Sequence, residues 1–191
     1  MGLVLRHRRR FTGEEVDRFA DAGLLHDANH LELIDGDLVV NPPQGPPHGA
    51  LMEDLRDRLR DAYRAIGAHV TGQRPIVIDR AGRHRPEPDI AVVPGVPRDY
   101  LKRHPRGDEA ILVVEIAVSS LRIARSNRVQ YARGGVAHYW VFDVVGEKLE
   151  VHTDPERRKA RYATCVVLSS KDDVKLPRLA VRFSVESMLP R

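Results

Sequence analysis

A chain of 191 residues, 42% hydrophobic and 30% charged, is long enough to bury a sizeable core and too apolar to be disordered throughout. Its 31 Lys and Arg against 27 Asp and Glu leave a net charge of +4, which permits a nucleic-acid partner without demanding one. A single cysteine, Cys165, excludes an intrachain disulfide and a Cys-based zinc site. No apolar run reaches membrane-spanning length and no signal-peptide segment follows the basic N-terminus, so a cytoplasmic protein with no membrane partner is expected.

Residues 1–10 read as a basic arm, with Arg6, His7, Arg8, Arg9 and Arg10 either mobile or set against a nucleic-acid backbone. Residues 11–191 read as one domain. Thr12 and Glu15 have the spacing of a capping box, Val16, Phe19 and Ala20 give the helix an apolar face, and Gly23 is a plausible stop. In 31–40, Asp35-Gly36 between two apolar runs predicts a hairpin. The proline-rich stretch Asn41–Pro47 predicts a loop. A helix is predicted over Gly49–Gly67, with Leu51, Leu55, Leu59, Ala62 and Ile66 on one stripe. Strands follow at Ile76–Ile78, Asp89–Val93 and Ile111–Val118, the last apolar enough to be buried on both faces. A helix over Ser120–Arg133 ends at Gly134-Gly135. Tyr139–Val145 and Lys148–His152 form a hairpin around Gly146-Glu147, and Tyr162–Leu168 and Leu179–Phe183 are edge strands. The order implies an α/β or α+β domain with a mixed sheet.

Two carboxylates stand in apolar surroundings. Glu115 is the one charge in Ile111–Val118, and Asp89 opens the run Ile90–Val93. A buried carboxylate needs a cation, a hydrogen-bonded partner or a proton. If the two strands are neighbours, both carboxylates meet at one end of the sheet, where they could share a Mg²⁺ ion. The alternatives are a turn or cap role for Asp89 and a structural ion pair for Glu115.

Several segments together resemble one family. Leu31-Glu32-Leu33-Ile34-Asp35-Gly36-Asp37-Leu38 is similar to its ELIDGEL opening, and Pro47-His48 to its proline-rich loop. Pro88-Asp89-Ile90 matches its PD-I strand, and Val113-Val114-Glu115-Ile116-Ala117 its VVEI segment. Tyr131–Asp143 resembles its YARAGVPEYWVVD segment. These are features of the Uma-two family of restriction-endonuclease-like proteins, within the PD-(D/E)XK nuclease superfamily, and the likeness runs from about Phe11 to the C-terminus. It implies an α/β fold with a mixed four- or five-stranded core sheet flanked by helices, with additional β-hairpins. It implies Mg²⁺- or Mn²⁺-dependent hydrolysis of DNA phosphodiesters, with Asp89 and Glu115 as metal ligands and Glu32 as an auxiliary acid.

The chain departs from the pattern at the basic residue. The superfamily's Lys lies two residues after the Glu, where this chain has Ala117; the family's Lys lies on the following helix, with an acid one turn earlier. That helix, Leu121–Tyr131, holds neither Lys nor Asp. The Lys position falls at Arg128 counted from Glu115 and at Asn127 counted back from Tyr131. The acidic position falls at Ala124 or Ile123, and the Glu before Tyr-Trp is His138. An arginine can bind phosphate but cannot act as a base. Arg128 or Arg125 is therefore the expected phosphate contact, or the chain is an inactive nucleic-acid-binding or interaction module on the same fold. Arg122, Arg125 and Arg128 recur every three residues, as a phosphate-tracking stripe or a solvated face. His48 is expected either at a phosphate or carboxylate or in a helix-start role. Glu87 is read as supporting the site or exposed, His84 as loop surface, Cys165 as buried, Tyr139 and Trp140 as core, and Ser119 and Ser120 as the helix cap. A homodimer is expected from the C-terminal hairpins and the frequency of symmetric pairs.

Overall fold

The computed structural model describes residues 9–25, 31–41 and 44–189. Arg6, His7 and Arg8 lie outside them. Arg9 donates to Glu15 Oε1 at 2.6 Å and lies over the Phe11 ring. Helix α1 (Gly13–Asp21) starts on the expected capping box: the Glu15 N–H donates to Thr12 Oγ1, and the Thr12 N–H donates to Glu15 Oε2. Strands β1 (Leu31–Ile34) and β2 (Asp37–Val40) pair antiparallel. Asp35 and Gly36 both have positive φ, 50° and 86°, as a tight turn matched to strand twist requires.

Helix α2 (Pro46–Tyr63) begins three residues before the predicted start. Pro46 and Pro47 occupy its first turn, where a missing N–H costs nothing, so the two prolines open the helix. Leu51, Leu55 and Leu59 are buried as expected, whereas Ile66 lies beyond the helix and is 44% exposed. Next come β3 (Ala68–Gly72), β4 (Ile90–Pro94), β5 (Leu112–Ala117), helix α3 (Leu121–Gly134), β6 (His138–Asp143), β7 (Lys148–Glu156) and β8 (Arg161–Ser169). These strands form one six-stranded sheet in the order β3-β4-β5-β6-β7-β8. Only β5 and β6 run parallel, joined through α3; the other neighbours are antiparallel. The sheet is wider than the four or five strands expected.

Three expectations need correction. Ile76–Ile78 is not a ladder strand: it makes one bridge, Val77 with Arg106, and bonds through its backbone to Pro86 and His84. The segment Leu179–Phe183 is not an edge of the main sheet, because β9 (Asp173–Lys175) and β10 (Arg182–Ser184) form a separate two-stranded sheet. Cys165 is exposed, because β8 is the last strand of its sheet.

Alternation along the strands assigns the two faces. Ile90, Val92, Leu112, Val114, Ile116, Trp140 and Phe142 pack with Leu51, Leu55, Leu59 and Tyr63 of α2. Ala91, Val93, Val113, Ala117, Tyr139 and Val141 pack with Ala124 and Tyr131 of α3. With a side-chain period of two, Asp89 and Glu115 fall on the α3 face. Gly135, at φ 82°, closes α3 by donating its N–H to the Tyr131 and Ala132 carbonyls, at the predicted Gly134-Gly135 stop, with the helix running one residue past Arg133. Ser120 stands at the N-cap but its hydroxyl makes no capping bond.

Candidate active site

The antiparallel register of β4 and β5 sets Ile90 opposite Val114, which brings Asp89 beside Glu115 at the sheet's end. There they line a cleft of about 410 Å³ with Glu32, Glu87, His48, Asn41, Gln44, Asn127, Gln130 and Tyr131. The hairpin β1–β2 forms one wall, the start of α2 a second and α3 the third.

Asp89 is 4% exposed and heavily bonded. Its Oδ2 accepts the Ile116 N–H at 2.7 Å and lies 3.0 Å from His48 Nε2, while its Oδ1 accepts from Gln44 Nε2 at 3.2 Å. Glu115 Oε1 accepts the Tyr131 hydroxyl at 2.9 Å and the Asn127 amide at 3.3 Å. Glu32 Oε1 accepts from Asn41 Nδ2 at 2.6 Å.

Burial, reinforced by the Asp89 charge, raises the Glu115 carboxyl well above the usual carboxylate range. Burial also lifts Glu32 to about 7, with Glu87 and Asp89 adding repulsion. Tyr131 is held protonated first by burial and then by Glu115, which keeps it a donor. Four carboxylates thus share one cleft, and no Lys or Arg is among the described residues that line it. Among the described residues no three His, Cys, Asp or Glu side chains are gathered closely enough to hold a metal ion. Carboxylate oxygens such as those of Asp89 and Glu115 are the donor type that a hard divalent cation takes.

Of the expected site residues, Glu32, His48, Asp89 and Glu115 line one cleft. The arginine stripe does not. Ile123, Asn127, Gln130 and Tyr131 carry the cleft face of α3, and Arg122, Arg125 and Arg128 turn from it because they fall outside that arc of the helix. Arg125 Nε bonds Glu150 Oε1 of β7 at 2.7 Å, with a second contact from its Nη2. Arg128 lies towards His152 and Cys165, whose ionisation it biases. Asn127 and Tyr131, one turn apart, both reach Glu115. Glu87 lines the cleft. His84 is buried, 5% exposed, and does not belong to the surface. Sequence reading passed over Asn41, Gln44 and Gln130. Their only signal is helical or hairpin spacing from a recognised neighbour.

Arg125→Ala is expected to lower stability by about 1–3 kcal/mol, because Glu150 keeps its burial and loses its charged donor. Cleavage by the folded variant should match the wild type. Urea denaturation beside a cleavage assay checks both, and lost cleavage at unchanged stability would return Arg125 to the substrate.

Residues 14–186 match the model of the Uma2 family, described as "Putative restriction endonuclease". A crystal structure of "a putative nuclease belonging to DUF820" from Anabaena variabilis ATCC 29413 superposes with a TM-score of 0.66 at 19% identity, covering 83% of this chain and 88% of that one. At that identity the likeness concerns the fold. No curated protein matches the sequence significantly. No helix among the described residues is long and apolar enough to cross a membrane.

Proposed function

From the chain's membership of the Uma2 family of restriction-endonuclease-like proteins, to which it belongs, we propose that it is a divalent-cation-dependent endonuclease acting on DNA. The observation that carries this reading is the cleft that gathers four carboxylates and, among the described residues, no Lys or Arg. Asp89 and Glu115 would hold Mg²⁺ or Mn²⁺, which would supply an acidified water and stabilise charge developing on the phosphate. Ile116 N–H, Gln44 and His48 aim Asp89, and Tyr131 and Asn127 aim Glu115. Glu32, raised to about 7, is suited to exchange a proton near neutral pH. A cytoplasmic homodimer belongs to the same proposal, with sedimentation velocity as the check on assembly.

One observation favours a second reading, an inactive nucleic-acid-binding module: Asn127, one of the two positions at which the resemblance places the family's Lys, presents a neutral amide to Glu115. The deciding experiment is cleavage of single- and double-stranded DNA with Mn²⁺ or Mg²⁺, beside an Asp89→Ala, Glu115→Ala double variant. Cleavage by the wild type alone is expected. Salt-dependent DNA binding by both proteins, with no cleavage by either, would select the binding module.

A further inference from the structure

The cleft is lined by the Ser119 and Ser120 hydroxyls and by a set of amide and ring donors, and of the latter almost all are committed to carboxylates. Asn41 gives its amide to Glu32, Gln44 to Asp89 and Asn127 to Glu115, Tyr131 gives its hydroxyl to Glu115, and His48 faces Asp89. Gln130 differs. It lines the same cleft, yet its oxygen is engaged outside the carboxylate cluster, by the ring of His84.

His84 sits between β3 and β4, beside the bridge that joins Leu33 to Arg85. Its Nδ1 lies 2.9 Å from Asp35 Oδ1 and 3.2 Å from the Asp35 backbone N–H, and its Nε2 meets Gln130 Oε1. An amide oxygen is only an acceptor, so Nε2 must carry a proton. In the neutral ring Nδ1 then accepts the Asp35 N–H. In the imidazolium Nδ1 donates to the Asp35 carboxylate. Both states keep the Gln130 oxygen on His84, which directs the amide NH₂ away from that ring. The hairpin carrying Glu32 and the helix carrying Asn127 and Tyr131 are tied together through the same ring.

We propose that Gln130 is the residue that donates hydrogen bonds to a phosphate oxygen of the substrate, and that His84 is its positioning residue. The proposal deepens the nuclease reading and rests on it. A phosphodiester entering a cleft with four carboxylates and, among the described residues, no lining Lys or Arg needs donors not already spent on an anion, and Gln130 is the lining amide whose NH₂ is not given to a carboxylate. Gln130 supplies two N–H groups, and they carry no charge that would compete with a cation for Asp89 and Glu115. The cost of turning the amide is met before substrate arrives, as preorganised donors require.

The test measures oligonucleotide affinity by fluorescence anisotropy in Ca²⁺ and cleavage kinetics in Mn²⁺. Gln130→Leu is expected to weaken binding and raise KM about tenfold, the size of one lost hydrogen bond to a charged group, with kcat changed less. His84→Phe should give the same loss, and the double variant no more than either alone. His84→Gln, whose amide can still donate, should recover part of it. In wild type, ¹⁵N shifts should show His84 protonated at Nε2. A ring protonated at Nδ1 alone would turn the Gln130 amide round and overturn the proposal, as would wild-type affinity and KM in Gln130→Leu. If His84→Phe does not fold, Gln130→Leu and the ¹⁵N shifts still decide. A wild-type protein that neither binds nor cuts any oligonucleotide removes the nuclease reading and this proposal together. Cleavage by wild type with an indifferent Gln130→Leu removes this proposal alone.

Discussion

Glu115→Gln is expected to make the protein more stable at pH 8 and to reduce cleavage roughly a hundred- to a thousandfold. The two effects share one cause. Glu115 is buried beside Asp89, and burial first, then that charge, raises its carboxyl well above the ordinary range. At pH 8 the folded protein therefore bears either an ionised carboxylate out of water or the cost of keeping it protonated. A glutamine oxygen accepts the same bonds from Tyr131 and Asn127 and carries no charge, so stability in EDTA should rise. At pH 5, where the folded carboxyl is already protonated, the gain should vanish. Asp89→Asn separates the two carboxylates. Asp89 Oδ2 takes the Ile116 N–H and faces His48, so an amide placed there sets donor against donor. That variant should lose cleavage and also lose about 1–3 kcal/mol. Urea denaturation in EDTA with parallel cleavage assays reads all four numbers. A Glu115→Gln protein that is less stable than wild type at pH 8 would mean that the carboxylate is not under repulsion, and the cation-site argument would lose its basis.

What could be read in the sequence follows from how local each signal is. The Asp35-Gly36 turn, the Thr12–Glu15 box and the Gly135 cap depend on a few adjacent residues, and each forms. The apolar run around Glu115 announced a strand covered on both faces, and period-two alternation then places Glu115 and Asp89 on one side. Signals that depend on distant chain were not legible. Ile76–Ile78 has the alternation of a strand, with Ile76 and Ile78 buried, but its backbone finds loops instead of a ladder. Strand β3 contains His69 and ends in Gly72, composition too weak to stand out, and pairing with β4 forms it. Arg122, Arg125 and Arg128 share a regular spacing, but only the packing of α3 shows that the stripe lies off the cleft. His84 sits among Arg83, Arg85 and Pro86, composition that reads as surface. It is buried because Asp35, about fifty residues earlier, and Gln130, about fifty later, converge on its ring.

The second large effect is a fall in stability between about pH 4.5 and 7, reversed by a divalent cation. Glu32 is raised from its ordinary 4.5 to about 7, first by burial and then by repulsion from Glu87 and Asp89. Within that window the folded protein keeps a proton that the unfolded chain has already released. Stability therefore drops as pH rises through it, by roughly 3 kcal/mol for a shift of this size. Glu115, also raised, acts in the same direction. A cation needs the ionised forms, so its binding expels these protons and strengthens with pH. The melting-temperature gain from Mn²⁺ should be small at pH 6 and larger at pH 8, since only the folded chain assembles the site. Glu32→Gln should flatten the descent in EDTA. It should also reduce the pH dependence of the Mn²⁺ effect without removing binding, because Asp89 and Glu115 remain. Denaturation at pH 5, 6, 7 and 8, with EDTA or Mn²⁺, gives both curves. Wild-type stability that is level or rising from pH 5 to 8 in EDTA would contradict the crowding of carboxylates. A Mn²⁺ effect equal at pH 6 and 8 would show that these protons are not displaced by the ion.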